Sequence, residues 1–275
     1  MRETTTKQVR SDYLKPSPWG AQIVQGTIAL RGPKRSEDRW HEVPDEGYGR
    51  RFIMIARPIC LLIGYAFGLI QSAVIYCNMK GVDIRSVGSG NAGTTNTLRA
   101  LGPKAGFTVL FADMLKCIAA VIVSSIVCRF LLGDSYADMK YLLKIYTAAG
   151  CVLGHDFPFY TNFRGGKGIA CTAGYIVAFK PSFILGGLLG FLIPFNITHY
   201  VSLGSLCLYT VFFIQLIVEG QMGLLGNISQ ANLIEIYIIA FAMTALAFYQ
   251  HRTNIGRLIR GEERKTYIWK KNKID

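Results

Sequence analysis

Long apolar stretches alternate with short polar loops along most of this chain of 275 residues. The apolar residues form continuous blocks, and the longest blocks approach the roughly 20 residues that a helix needs to cross the hydrocarbon core of a bilayer. We predict seven such segments, at residues 52–78, 106–132, 141–154, 169–179, 182–197, 200–219 and 232–250. The pattern predicts an all-α polytopic membrane protein with about seven transmembrane helices and short loops.

Composition agrees with this pattern and sets the N-terminal segment apart. Hydrophobic residues make up 51% of the chain and charged residues only 17%, against roughly 25% charged residues in ordinary soluble domains. Residues 1–50 are polar and contain four prolines, so we predict a partly disordered extension with a short amphipathic piece near residues 21–30. This extension lacks the apolar core of a secretory signal peptide. We assign residues 51–265 to the membrane domain and residues 266–275 to a basic tail.

The distribution of basic residues predicts the topology. Eight Lys or Arg residues lie between positions 252 and 273, which places the C-terminus in the cytoplasm. Counting back through seven segments places the loops at 80–105 and 155–168 on the same side. The extension then falls outside, although residues 1–51 hold ten Lys or Arg residues, against the rule. We expect a multi-pass protein of the plasma membrane whose active site faces the cytoplasm.

Three polar loops interrupt the apolar chain, and together they carry its candidate chemistry. They cover residues 89–99, 163–168 and 251–258, and each is rich in Gly, Asn and basic residues. Gly-rich backbone offers N–H groups to anions, while Arg and Lys bind phosphate oxygens. Taken singly, each loop could merely turn the chain and contact lipid headgroups. Three such loops on one face favour a site for one or two phosphate groups.

Several other kinds of site are excluded by spacing or context. The G-x-G-x-x-G pattern at residues 88–93 lacks the preceding strand that a dinucleotide site requires, and the nearest downstream acid, Asp113, lies inside an apolar run. Residues 165–168 are no P-loop, because Gly168 stands where Ser or Thr should follow the lysine. The seven cysteines form no CxxC pair and suggest neither a disulfide framework nor a metal site. We expect no metal and no cofactor. The net charge of +13 is spread over short loops, which disfavours nucleic acid as a partner.

Conventional acyl-transfer and hydrolytic motifs are also absent from the sequence. There is no G-x-S-x-G nucleophile elbow, and the H-x4-D acyltransferase motif is absent. The chemistry must therefore use a substrate that is already activated. Asp113 and Lys116 lie three apart on one face of a predicted span, and either a functional pair or a buried ion pair is consistent with that spacing.

At the polar loops the chain closely resembles the acyl-phosphate-dependent glycerol-3-phosphate acyltransferases of bacterial membranes, the PlsY family. The resemblance covers roughly residues 55–265 and also fits Asp113 and Lys116. Its motifs are Ser89-Gly90-Asn91-x-Gly93-x-x-Asn96-x-x-Arg99, Gly154-His155-x-Phe157-Pro158 with Phe163-Arg164-Gly165-Gly166-Lys167-Gly168, and His251-Arg252-x-Asn254-Ile255-x-Arg257-Leu258.

The resemblance implies transfer of a fatty acyl group from acyl phosphate to the 1-hydroxyl of glycerol 3-phosphate. The products would be lysophosphatidic acid and phosphate, in the first acylation step of phospholipid synthesis. It also implies membrane lipids around the enzyme and a substrate phosphate that accepts the hydroxyl proton. The residues expected to be catalytic are Ser89, Arg99, Lys167 and Asn254. Those expected to bind substrate are Gly90, Asn91, Gly93, Asn96, His155, Arg164, Gly165, Gly166, His251 and Arg252.

Two other functions compete with the acyltransferase interpretation. The same loops could serve a transporter of phosphate or organic anions, although transporters usually show internal repeats and this chain shows none. A family member that has lost catalysis and only binds lipid is a third possibility. Retention of all four candidate catalytic residues disfavours it.

Overall fold

The computed structural model describes residues 20–24, 27–31 and 46–268. Contacts divide the chain into two units, residues 1–45 and 46–275. In the first unit, β1 (Gly20–Val24) pairs antiparallel with β2 (Thr27–Arg31). In the second unit the described chain forms helices α1 to α10. Their bounds are Glu46–Gly68, Ser72–Asn78, Thr94–Leu101, Pro103–Leu132, Tyr136–Asp156, Ile169–Phe179, Ser182–Thr198, Val201–Gln221, Gln230–Gln250 and Arg252–Ile259.

The hairpin coincides with the short amphipathic piece that was expected near residues 21–30, for which no secondary structure was predicted. The structure pairs Ala21 with Leu30 and Ile23 with Ile28 across two strands. The β-branched residues of this segment favour strands, and the glycine at position 26 is a turn signal. The rest of the predicted extension lies outside the described residues.

The all-α membrane fold is confirmed for the second unit. Four stretches are long and apolar enough to cross a bilayer, and one of them contains both α4 and α5. They are Phe52–Asn78, Pro103–Thr161, Val201–Gln221 and Gln230–Gln250. Helices α6 and α7 are apolar but shorter. Each predicted apolar segment coincides with one helix, except residues 52–78, which are divided between α1 and α2. The count of seven spans stays a prediction.

Helices α1 and α5 pack through two pairs of glycines, each pair spaced four residues apart. A Cβ on Gly64 of α1 would lie 2.0 Å from the carbonyl oxygen of Thr147, and one on Gly150 of α5 would lie 2.1 Å from that of Leu61. The backbones therefore touch, as small residues permit between membrane helices. This contact holds the end of α5 beside the break between α1 and α2.

A buried ion pair supports the break between α1 and α2. Lys116 Nζ donates to the carbonyl oxygen of Ile70 at 2.6 Å and lies 2.8 Å from Asp113 Oδ1. It also lies 2.9 Å from His155 Nδ1, and Ser72 Oγ donates to Asp113 Oδ1 at 2.8 Å. Broken helices survive among apolar surroundings only where other groups satisfy the freed carbonyls. The structure therefore favours the structural interpretation of Asp113 and Lys116.

Helix α6 is short because its C-terminal end is capped inside the helical bundle. Lys144 Nζ of α5 donates to the carbonyl oxygens of Ala178 and Phe179 at 2.8 and 3.0 Å. These are among the last carbonyls of α6, which a helix cannot satisfy by itself. The opposite end of α6 points to the second polar loop, and this places a helix N-terminus at the site described next.

Candidate active site

The three polar loops lead into three helix N-termini that meet at one cavity of about 800 Å³. Loop one precedes α3, loop two precedes α6, and His251 immediately precedes α10. Residues of each first turn line the cavity, among them Thr94, Ile169 and Thr253. Free N–H groups and the helix dipole make such ends favourable for anions. Three of them at one place make this end of the cavity favourable for negatively charged groups.

The other half of the cavity is apolar. It is lined by side chains of α4, α6, α7 and α8, including Phe107, Leu110, Met114, Ile176, Phe191 and Leu208. Val177, Leu188 and Leu192 also line it and are 42 to 52% exposed. The cavity therefore joins a polar end to an apolar end that is lined by partly exposed side chains.

Asn96 gives the first loop its shape. Its Oδ1 accepts the backbone N–H of Ser89 at 3.0 Å, and its Nδ2 donates to the carbonyl oxygens of Ile84 and Val87. Gly88 has a φ of +60°, and a Cβ there would lie 2.5 Å from Asn96 Oδ1. Although Asn96 lines the cavity, its amide is used inside the loop, and its observed contacts position Ser89.

The second loop is built directly on His155 at the end of α5. The backbone N–H of Gly166 donates to the carbonyl oxygen of His155 at 3.0 Å. A Cβ on Gly166 would lie 2.1 Å from His155 Nε2, so only glycine fits between the ring and the loop. Gly166 therefore supports the loop from below, while its neighbours Gly165 and Lys167 line the cavity.

Lys167 contacts the third loop directly at Asn254, and Asn254 is in turn bound to the Glu263 carboxylate. Lys167 Nζ donates to Asn254 Oδ1, and Asn254 Nδ2 donates to Glu263 Oε1 at 2.7 Å. Arg257 Nε donates to Glu263 Oε2 at 2.8 Å, and Ser202 Oγ donates to Oε1 at 3.0 Å. Burial lowers the pKa of Lys167 to about 8, and Glu263 opposes that shift. The oxygen and the nitrogen of the Asn254 side-chain amide are thus both used, the oxygen by Lys167 and the nitrogen by Glu263.

His251 is buried beside Lys167 as a neutral ring. Its Nδ1 lies 2.7 Å from the carbonyl oxygen of Ala247, which can only accept, so Nδ1 carries the proton. Burial and the positive charge of Lys167 lower the pKa of His251 to about 4. At neutral pH the ring therefore keeps an unprotonated Nε2, which is a hydrogen-bond acceptor at the cavity.

The segment that follows α10 crosses the polar end of the cavity, and we call residues 262–268 the C-terminal strap. Arg99 donates through Nε and Nη2 to Thr266 Oγ1 at 3.2 and 2.7 Å, and through Nη2 to the carbonyl oxygen of Arg264 at 3.0 Å. The backbone N–H of Thr266 donates to the carbonyl oxygen of His199 at 2.9 Å. Thr266 lies one residue past the predicted membrane domain and still lines the cavity.

Eleven of the fourteen predicted site residues line this cavity. They are Ser89, Gly90, Asn91, Gly93, Asn96, Arg99, His155, Gly165, Lys167, His251 and Asn254. The structure does not bring Arg164, Gly166 or Arg252 to the cavity lining. Arg164 is exposed, Gly166 supports the loop from below, and the Arg252 guanidinium lies 4.3 Å from the centre of the Tyr249 ring.

Sequence reasoning missed Glu263, Ser202 and Thr266 as parts of the site. Glu263 stands beside Glu262 at the end of a basic loop, and nothing in the sequence separates these two acids. In the structure Glu263 is buried, whereas the side chain of Glu262 is 59% exposed. Ser202 and Thr266 belong to no motif, because their hydrogen bonds are made with segments distant in the sequence.

Among the described residues, Asp113, His155 and Cys171 place possible metal ligands within 4.8 Å of one another. Lys116 Nζ already contacts Asp113 and His155, at 2.8 and 2.9 Å. An ammonium group at this position would repel a metal cation. The contacts of this cluster therefore fit an internal ion pair, not a metal centre.

Comparison with known proteins agrees with the fold and the cavity. The family model described as glycerol-3-phosphate acyltransferase matches residues 58–261. A glycerol-3-phosphate acyltransferase of Clostridioides difficile (strain 630) is 39% identical over 212 residues, which cover 75% of this chain and 94% of the relative. One of Aquifex aeolicus (strain VF5) is 34% identical, with 74% of this chain and 96% of the relative covered.

Two solved structures are also similar to this chain. Both are crystal structures of PlsY, described as an integral membrane glycerol 3-phosphate acyltransferase. The glycerol 3-phosphate form has a TM-score of 0.64 and 33% identity, and the lysophosphatidic acid form has a TM-score of 0.63 and 32% identity. Each covers 77% of this chain and 96% of the PlsY chain.

The fold, the cavity with its polar and apolar ends, and these similarities define an integral membrane acyltransferase. The family-model match over residues 58–261 and the relatives above show which acyltransferase family it is. The chain belongs to the glycerol-3-phosphate acyltransferase family, the PlsY family, and it is an enzyme that acylates glycerol 3-phosphate.

Removing the charge of Glu263 should destabilise the site far more than the same change at its neighbour. Glu263→Gln leaves Arg257 without its ionic partner, and we expect a loss of about 2 kcal/mol or more in unfolding free energy, since hydrogen bonds to charged groups are worth about 1.5–3 kcal/mol. Glu262→Gln is the matched control and should cost less than about 1 kcal/mol, as exposed pairs do. Unfolding in detergent measures both, and equal losses would contradict the assignment.

Proposed function

We propose that the acyl donor is an acyl phosphate and that the acyl group is transferred to the 1-hydroxyl of glycerol 3-phosphate. The products are lysophosphatidic acid and inorganic phosphate. The observation that supports this most strongly is the cavity itself, because two phosphate groups match its three helix N-termini and its cations Arg99 and Lys167. The apolar half between α4, α6, α7 and α8 suits the acyl chain of a lipid substrate.

The choice of donor follows from the groups around Ser89. Its side chain is exposed, and within the described part of the chain no histidine or carboxylate is within hydrogen-bond reach of its hydroxyl. A serine nucleophile needs an adjacent base to be activated. An acyl phosphate is a mixed anhydride with a good leaving group, so it can be attacked directly by the glycerol hydroxyl without prior acylation of the protein.

The proposed role of each residue follows from its charge and its position in the cavity. Arg99 and Lys167 bind phosphate oxygens, and Ser89, Asn91 and the loop amides orient the acyl phosphate. His251 accepts a hydrogen bond from glycerol at Nε2, and Asn254 acts through Lys167, whose ammonium it orients. A substrate phosphate accepts the hydroxyl proton as the ester bond forms and the phosphate leaves. Orientation and preorganised positive charge lower the barrier for such a transfer.

The proposed location is the plasma membrane, with the cavity's polar end on the cytoplasmic side. Basic residues on the polar loops and after α9 support this orientation by the positive-inside rule. Free glycerol 3-phosphate can then reach the polar end from the cytoplasm, while a lipid tail can enter between the partly exposed side chains of the apolar end. Membrane lipids surround the remaining helix faces.

The donor is tested with purified protein, glycerol 3-phosphate and three alternative donors: acyl phosphate, acyl-CoA and acylated acyl carrier protein. We expect lysophosphatidic acid and equimolar phosphate only with acyl phosphate. Arg99→Ala and Lys167→Ala should each lower turnover at least about a hundredfold, as loss of one preorganised charge contact does in other enzymes. Arg252→Ala is the matched control, because its side chain lies outside the cavity. Equal rates with acyl-CoA would refute the proposed donor.

Activity should fall as pH rises through the pKa of Lys167. That pKa is about 8, lowered by burial from its ordinary value, so the ammonium that binds phosphate is lost above this pH. The pH profile of kcat/KM reports the free enzyme, and its high-pH limb should lie near pH 8. Lys167→Arg keeps the charge and should move the limb upward, whereas Lys265→Arg, at an exposed lysine, should not. A limb unmoved by Lys167→Arg would exclude Lys167 as its origin.

A further inference from the structure

The C-terminal strap ties the phosphate end of the cavity to the turn between α7 and α8. Glu263 of the strap accepts from Ser202 in the first turn of α8, and the Thr266 N–H donates to the His199 carbonyl oxygen at the end of α7. His199 has a φ of +61°, and its ring lies 4.9 Å from that of Tyr267. The strap is thus anchored on both sides of this turn.

The side chain of Thr266 in the strap contacts Arg99, which is a candidate for phosphate binding. It is 1% exposed, and its hydroxyl oxygen accepts two N–H groups of the Arg99 guanidinium. The carbonyl oxygen of Arg264 accepts a further bond from Arg99 Nη2. Because a guanidinium is planar, two adjacent N–H groups held by one fixed oxygen define the orientation of the whole group.

The strap cannot set this orientation unless Thr266 is itself fixed. Its backbone is fixed by the bond to His199, and its χ1 is restricted because threonine is branched at Cβ. The hydroxyl is therefore a rigid acceptor on a segment that is anchored to the α7–α8 turn. Helices α7 and α8 also line the apolar half of the cavity. The strap therefore connects the polar end of the cavity to the helices that line its apolar half.

We propose that Thr266 is a positioning residue that holds the Arg99 guanidinium in its phosphate-binding orientation, and that the C-terminal strap is an integral part of the active site. This inference rests on the proposed role of Arg99 in phosphate binding. It assigns a function to a residue that no sequence motif marks. The hydroxyl of Thr266 acts only through Arg99, so its loss should affect the substrate that Arg99 binds and leave the other substrate largely unaffected.

The test compares Thr266→Val, which removes the acceptor at nearly constant shape, with Thr266→Ser, which keeps the hydroxyl. KM and kcat are measured for acyl phosphate and for glycerol 3-phosphate separately, with Arg99→Lys as the reference variant. We expect Thr266→Val to raise the KM of one substrate about tenfold or more, since small misplacements of a binding group cost that much. The affected substrate should be the one affected in Arg99→Lys. The KM and kcat values of Thr266→Ser should stay within about twofold of the wild-type values.

The controls separate positioning from folding. Arg260→Ala, at an exposed side chain outside the strap, should leave both KM values unchanged, and melting temperatures in detergent are recorded for every variant. If Thr266→Val does not fold, Thr266→Ala replaces it, because the smaller side chain cannot overpack the site. Unchanged kinetics, equal effects on both substrates, or failure of Thr266→Ser to retain activity would overturn the proposal. Absence of acyl-phosphate activity in the unchanged protein would instead refute the proposed donor.

Discussion

The buried carboxylate of Glu263 balances the positive charge of the active site, and the geometry of the site depends on it. It contacts Asn254, Arg257 and Ser202, and through Asn254 it fixes Lys167. Two loops and the start of α8 therefore share one anionic anchor. Without it, Lys167 and Arg257 would face each other in a partly buried place, where repulsion between like charges is only weakly screened. The anchor is what allows cations to be concentrated at the anion-binding end of the cavity.

A second buried ion pair, between Asp113 and Lys116, supports the second loop. Asp113 and Lys116 satisfy the break between α1 and α2 and contact His155, and the Gly165–Gly166 segment lies directly on His155. The glycine contacts between α1 and α5 bring these groups together. The polar loops are therefore rigid extensions of the packed helices, which suits catalysis by positioning. A loop free to move would lose most of the advantage of preorganised charge.

Much of this arrangement could be predicted from the sequence, because apolar length and loop composition are local properties. The all-α membrane fold and the apolar helices followed from the blocks of apolar residues, and the three loops indicated an anion site. The site residues that sequence reasoning missed, Glu263, Ser202 and Thr266, depend on which distant segments touch. Arg164 and Arg252 look like phosphate ligands by residue type, yet their backbone positions direct them away from the cavity. No secondary structure was predicted for the amphipathic piece at residues 21–30, because a short apolar run fits either helix or strand.

In the proposed mechanism the protein positions an activated donor and forms no covalent acyl intermediate of its own. Intact-protein mass spectrometry after exposure to acyl phosphate without glycerol 3-phosphate tests this directly, with turnover on adding glycerol 3-phosphate as proof of activity. We expect an unchanged protein mass, because Ser89 has no base beside it in the described residues and the acyl group is transferred directly to glycerol 3-phosphate. A stoichiometric acyl adduct that is lost on adding glycerol 3-phosphate, and that is absent in Ser89→Ala, would contradict it.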